Sequence, residues 1–129
     1  MKYLGIDYGA KRIGIAVSNS EGTIAFPRTT IENNARLLES VIHLIADDKI
    51  EFIVVGDTRS FSNLENPVTK DAGSFVARLK KKTSLPVVSV WEAGSSIEAS
   101  RYAPESVEHS DGAAAAIILQ RFIDMRKKG

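Results

Sequence analysis

The sequence predicts an α/β layer fold with a mixed five-stranded sheet flanked by helices. Three runs with strand character fill about the first thirty residues. After them, apolar residues at helical spacing alternate with short β-branched runs. Strands joined by short turns favour antiparallel pairing, whereas strands separated by helices favour parallel pairing. The expected sheet is therefore antiparallel in its first three strands and parallel in the remainder.

The first three strands are predicted at residues 2–7, 13–19 and 23–31. A glycine-containing loop separates the first strand from the second, and Asn-Ser-Glu-Gly at 19–22 is a turn signal before the third. We therefore expect two successive hairpins at the start of the chain.

Helices and strands then alternate to the end of the chain. Apolar residues between Leu37 and Ile45 follow helical spacing and predict a helix that ends near Asp48-Lys49, with Asn33 or Asn34 as its cap. The further predicted elements are a strand over 52–55 closed by Gly56-Asp57, a loop over 58–66, a helix starting at Asn66-Pro67, a strand over 86–91, a short helix over 96–102 and a final helix from Asp111 to about Arg126.

Length and composition suit one compact domain over residues 1–129, with 43% hydrophobic and 26% charged residues. No apolar run reaches the roughly 18–20 residues of a membrane span, and charged residues interrupt the first apolar stretch, unlike a secretion signal. The absence of cysteine excludes disulfides, zinc–thiolate sites and cysteine nucleophiles. We therefore expect a cytoplasmic protein.

The net charge of +1 gives no overall basic field. Two basic clusters stand out, one at 78–82 and one at 121–128. Such clusters could contact phosphates, or they could complement the dipoles of helix C-termini, and the second interpretation is favoured for each cluster taken alone.

Three carboxylates occupy positions where α/β proteins place functional groups. Asp7 ends the first strand, Glu92 follows the fifth, and Asp111 opens the last helix. If the first strand neighbours the parallel strands, Asp7 and Glu92 lie at one edge of the sheet. The alanine-rich turn after Asp111 would let that helix approach the same edge.

Converging carboxylates repel one another unless cations neutralise them, and Mg²⁺ or Mn²⁺ prefers such oxygen ligands. Two such ions can activate water and stabilise the leaving oxygen in phosphodiester cleavage. Lys11 and Arg12 could bind a phosphate beside the ions. Each residue also has an ordinary alternative: an ion pair or loop cap for Asp7, a loop acid for Glu92, helix electrostatics for Asp111, and a solvated hairpin tip for Lys11 and Arg12.

The segment from Leu4 to Ser18, LGIDYGAKRIGIAVS, closely resembles the opening of the YqgF (RuvX-like) family. Val54-Val55-Gly56 is similar to that family's next core strand, and the segment from Ser110 to Gln120, SDGAAAAIILQ, to its closing helix. The resemblance implies an RNase H-like fold and a divalent-metal nuclease. It assigns the metal ligands to Asp7, Glu92 and Asp111.

Members of that family are described as pre-16S rRNA processing nucleases and as Holliday junction resolvases. The resemblance therefore implies an endonuclease for structured nucleic acid, with ribosomal precursor RNA favoured over a DNA junction. The expected protein is a monomer or weak homodimer with no membrane partner. Ala93-Gly94 stands where the family commonly has arginine and a bulky apolar residue, and this departure motivates a non-catalytic ribosome-assembly factor as an alternative. A phosphate-binding ATPase of the actin and sugar-kinase type is another, although those enzymes clasp nucleotide between two such domains.

Overall fold

The computed structural model describes residues 1–9, 11–57, 67–91 and 111–128. Its strands are β1 (Tyr3–Asp7), β2 (Arg12–Ser18), β3 (Ala25–Glu32), β4 (Phe52–Asp57) and β5 (Val87–Trp91). Its helices are α1 (Leu37–Asp47), α2 (Pro67–Thr83) and α3 (Asp111–Lys128). The short helix predicted over 96–102 lies outside the described residues.

The strands form one sheet in the order β3-β2-β1-β4-β5. β2 pairs antiparallel with both β1 and β3, whereas β4 pairs parallel with both β1 and β5. The predicted mixed sheet is therefore confirmed, and β1 stands at its centre, where the antiparallel and parallel halves meet.

Each face of the sheet has its own apolar core, because successive side chains of a strand point to opposite faces. Leu4 and Ile6 of β1 pack on the face that also buries Val41 of α1 and Phe75 of α2. Tyr3 lies on the other face, in a cluster that belongs largely to α3. The helices thus form two layers, one on each side of the sheet.

α3 lies directly on β1 because position 5 is a glycine. A Cβ atom on Gly5 would be 2.8 Å from the Cβ of Leu119 and 3.2 Å from the carbonyl oxygen of Ala115. Any side chain there would push the helix off the strand. The small residues of both segments therefore bring two backbones together, as the alanine-rich sequence of α3 predicts.

The start of α1 differs from the prediction. The N-cap of the helix is Arg36, which makes no side-chain capping hydrogen bond. Asn34 forms a tight turn before the helix, in which its Oδ1 accepts from the Arg36 N–H at 2.9 Å. Asn33 faces the loop between β1 and β2 instead, so the prediction that one of these asparagines is the N-cap is wrong.

Within the described ranges, no helix combines the length and apolar character needed to cross a membrane.

Candidate functional site

Asp7 is the last residue of β1 and its side chain is half-buried. Its register partners are both glycines, Gly14 on β2 and Gly56 on β4. Because glycine has no side chain, the two residues paired directly with Asp7 contribute only backbone atoms beside it. Asp7 is therefore flanked at its own level of the sheet by backbone alone, at the carboxyl end of the central strand.

The three parallel strands end at the same edge. Gly56, the partner of Asp7, pairs in turn with Val90 of β5. At roughly 4.8 Å per strand spacing, the β5 backbone at this level lies about 10 Å from Asp7. Glu92 comes directly after Trp91, the last residue of β5, in the sequence and lies outside the described residues.

α3 runs antiparallel to β1, so its first turn lies at the Asp7 end of the strand. The ring of Tyr3 contacts that of Phe122 at 6.1 Å between centroids, whereas Gly5 lies against Ala115 and Leu119. Moving from Tyr3 towards Asp7 therefore means moving towards the start of the helix. That start is Asp111, whose side chain lies outside the described part.

These placements bring two of the three predicted acids, Asp7 and Asp111, to the same end of the β1–α3 pair. Among the side chains that the structure describes, no group of three or more His, Cys, Asp or Glu residues could hold a metal ion. The convergence of Asp7, Glu92 and Asp111 stays a prediction, because two of these side chains are outside that set.

Lys11 lies in the connection from β1 to β2 that begins directly after Asp7, and Arg12 is the first residue of β2. Both side chains are exposed. Asp7 and Arg12 each have an interaction partner, so the possibility of an ion pair at Asp7 stays open. The connection places the two cations at the same edge of the sheet as Asp7.

Asn33 belongs to this region, although the sequence predicted it as a candidate cap of α1. It follows β3 directly, and its side-chain Nδ2 donates to the Gly9 carbonyl oxygen at 2.8 Å. Its backbone N–H donates to the Lys11 carbonyl oxygen at 2.9 Å. The sequence shows Asn33 as a polar residue at the end of a predicted strand, but it does not reveal that its hydrogen-bond partners are Gly9 and Lys11.

The cluster of cations on α2 lies away from Asp7. Lys80, Lys81 and Lys82 occupy the last turn of α2, which leads into the start of β5. The carbonyl oxygen of Pro86 accepts from the N–H of Ile53, near the start of β4. These residues lie at the amino-terminal ends of the parallel strands, at the opposite end of the sheet from Asp7. The lysines therefore complement the helix C-terminus rather than the candidate site.

Arg126 of α3 also lies at the end of the sheet opposite Asp7. Its guanidinium carbon lies 5.2–5.9 Å from the ring centroids of Tyr3, Phe52 and Phe122. Such cation–π contacts fix the end of α3 on the sheet.

Comparisons with known proteins connect this arrangement to nucleases. A family described as "RuvX: Holliday junction resolvase" matches residues 1–125. A protein of Oleidesulfovibrio alaskensis named "Putative pre-16S rRNA nuclease" is 38% identical over an alignment of 134 positions; the match covers 97% of this chain and 93% of that protein.

Two solved structures share the fold. The RuvC structure of Thermus thermophilus superposes with a TM-score of 0.67 at 16% identity, covering 99% of this chain and 97% of that one. The Fowlpox virus resolvase, in complex with substrate Holliday junction DNA, superposes with a TM-score of 0.60 at 10% identity. The match covers 98% of this chain and 99% of that one. These similarities confirm the predicted RNase H-like fold.

Proposed function

The chain belongs to the RuvX Holliday junction resolvase family, and from this premise we propose that it is a nuclease that uses divalent metal ions to cleave structured RNA. The substrate we propose is pre-16S rRNA, after which the relative from O. alaskensis is named. A four-way DNA junction is the second candidate, because the family description names Holliday junctions and the Fowlpox virus resolvase was solved with one.

The observation that carries the proposal is the setting of Asp7. This half-buried carboxylate stands at the central strand's end between two glycines, Gly14 and Gly56. The carboxyl ends of parallel strands are where α/β proteins bind ligands. A half-buried carboxylate at this position suits a ligand that needs oxygen donors, such as Mg²⁺ or Mn²⁺.

We propose that the site binds two metal ions. Asp7, Glu92 and Asp111 are the residues that would hold them. Bound there, they would supply a nucleophile at neutral pH and neutralise the charge that develops on the leaving oxygen. The three acids would fix the position of the ions relative to the scissile phosphate. Lys11 and Arg12 would bind the adjoining phosphate backbone, because cations at the site edge attract the phosphodiester chain.

The test is cleavage of a pre-16S rRNA fragment and of a synthetic four-way DNA junction in Mn²⁺, by wild type, Asp7→Asn and the control Asp47→Asn. Asp47 is exposed at the end of α1, so its substitution removes the same charge away from the site. We expect wild type and Asp47→Asn to cut the RNA, and Asp7→Asn to lose more than about a hundredfold in rate. Undiminished cutting by Asp7→Asn would overturn the assignment of the site.

A binding readout separates a lost ligand from a damaged fold. Mn²⁺ should raise the melting temperature of wild type and Asp47→Asn, because a ligand that binds only the folded state stabilises it. The shift should be absent in Asp7→Asn, while the metal-free melting temperatures of the three proteins stay close.

The substrate is decided by which nucleic acid is cut. Cutting of the DNA junction alone would favour the resolvase function, which needs two sites related by symmetry and hence a dimer on the junction. Binding of both substrates with no cutting in any divalent ion would favour a non-catalytic assembly factor, and would direct attention to Ala93-Gly94.

A further inference from the structure

The connection between β1 and β2 is held from two sides. On one face of the sheet, Tyr8 is buried and its ring lies 5.6 Å from that of Phe75 of α2. From the end of β3, Asn33 donates its Nδ2 to the Gly9 carbonyl oxygen at 2.8 Å and its N–H to the Lys11 carbonyl oxygen at 2.9 Å. One asparagine thus holds the backbone on both sides of position 10.

The backbone at Gly9 has little freedom to move. A Cβ atom at this position would lie 2.5 Å from the carbonyl oxygen of Arg12, so the chain folds back closely on itself. A path this tight requires glycine, and the bond from Asn33 keeps the Gly9 carbonyl pointing to β3. The backbone is therefore fixed at Gly9 and at Lys11, on either side of position 10.

We infer that Asn33 is a positioning residue for substrate binding: it holds this connection so that Lys11 and Arg12 meet the phosphate backbone next to Asp7. The inference rests on the proposed function, since it concerns the same site. Cations on a backbone that is already ordered lose less conformational freedom when they bind, and this raises affinity. Asn33 acts through Lys11 and Arg12 and does not itself contact the nucleic acid.

The chain supplies a matched control in the next residue. Asn34 also makes a side-chain hydrogen bond, from the Arg36 N–H to its Oδ1 at 2.9 Å, but this bond belongs to the start of α1. Asn33→Ala and Asn34→Ala therefore each remove one amide side chain and its hydrogen bonding, and only the first removes a hydrogen bond to the connection from β1 to β2.

The experiment is fluorescence anisotropy with labelled pre-16S rRNA fragment and labelled four-way junction in EDTA, where binding is measured without cleavage. The proteins are wild type, Asn33→Ala, Asn34→Ala, Lys11→Ala and the double variant Asn33→Ala/Lys11→Ala. We expect Asn33→Ala to raise Kd about three- to tenfold, the value of one hydrogen bond that orders a binding loop. Asn34→Ala should bind as wild type does.

The double variant tests whether Asn33 acts through Lys11. If it does, Asn33→Ala should raise Kd by a smaller factor in the Lys11→Ala background than in wild type, because residues of one unit are not additive. The salt dependence of Kd should also become shallower in Asn33→Ala, as phosphate contacts are lost. Full additivity with Lys11→Ala, or equal Kd values for Asn33→Ala and Asn34→Ala, would overturn the inference.

A second pair of variants covers the case in which Asn33→Ala does not fold. Asn33→Asp keeps the size of the side chain and removes its donor, and Asn34→Asp adds the same charge one residue away. Weaker binding by Asn33→Asp than by Asn34→Asp supports the inference, and equal binding overturns it. If wild type binds neither nucleic acid, the proposed function itself fails and the inference falls with it; if wild type binds and the pairs are equal, the inference alone fails.

Discussion

Gly5 of β1 lies so close to Leu119 of α3 that a Cβ atom on the glycine would be 2.8 Å from the leucine Cβ. This contact sets the distance between the central strand and the helix on its face. Asp7 lies two residues further along the strand, and the helix begins at Asp111, two turns before Leu119. The position of one candidate acid relative to another therefore depends on a glycine outside the site.

The substitution Gly5→Ala should reduce the free energy of unfolding by about 1–3 kcal/mol, because the added methyl group overpacks a contact with no space. It should also lower the cleavage rate at saturating substrate, since α3 must move away from β1. Gly73→Ala is the control, because a Cβ atom there meets nothing within 4 Å and alanine in a helix should stabilise by roughly 0.5–1 kcal/mol. Urea denaturation measures the free energy of unfolding of both variants, and a cleavage assay at saturating substrate measures the rate. A Gly5→Ala variant as stable as wild type would refute the packing argument.

Removing both cations beside the site should change how binding responds to salt. For the double variant Lys11→Ala/Arg12→Ala, the slope of log Kd against log salt should fall by about 1.5, which corresponds to two lost phosphate contacts. Lys81→Ala/Lys82→Ala should keep the wild-type slope, because the end of α2 lies at the opposite edge of the sheet. Equal slopes for the two double variants would contradict the placement of the phosphate backbone.

The buried hydroxyl of Ser18, at the end of the sheet opposite Asp7, should contribute to stability and not to cleavage. Ser18 is 1% exposed, and its Oγ accepts from the Tyr3 N–H and donates to the Asn19 carbonyl oxygen, each at 2.8 Å. Ser18→Ala should lower the free energy of unfolding by about 1–3 kcal/mol, because a buried N–H loses its acceptor. Ser74→Ala, at an exposed position of α2, should have little effect in the same thermal melts, and a similar effect of both would speak against the hydrogen bonds.

The ion pair between Arg28 and Asp48 should contribute little. The Arg28 Nε lies 3.0 Å from the Asp48 Oδ2, but the arginine side chain is 41% exposed. Ion pairs at the surface are screened by water and salt, so Arg28→Ala should change the free energy of unfolding by less than about 1 kcal/mol. A loss as large as that expected for Ser18→Ala, measured in urea at physiological salt, would show that the pair has a structural role.

The sequence by itself determined the elements of the sheet and the acid at its centre. Strand and helix periodicities are local properties, so the run that ends at Asp7 and the alanine-rich segment after Asp111 could be recognised directly. The order of short turns and helices was also enough to predict a mixed sheet, because chain connectivity restricts the direction of pairing.

Only the tertiary structure decided which residues surround Asp7. Gly14 and Gly56 become its neighbours through strand register, and Asn33 meets Gly9 because β3 ends beside the first connection. Asn33 and Gly9 are 24 residues apart, and Gly56 is further still from Asp7, so a local pattern does not reveal these two pairings. An asparagine before a helix also has several possible partners. The fold selects among those partners by the backbone positions it brings within hydrogen-bond distance.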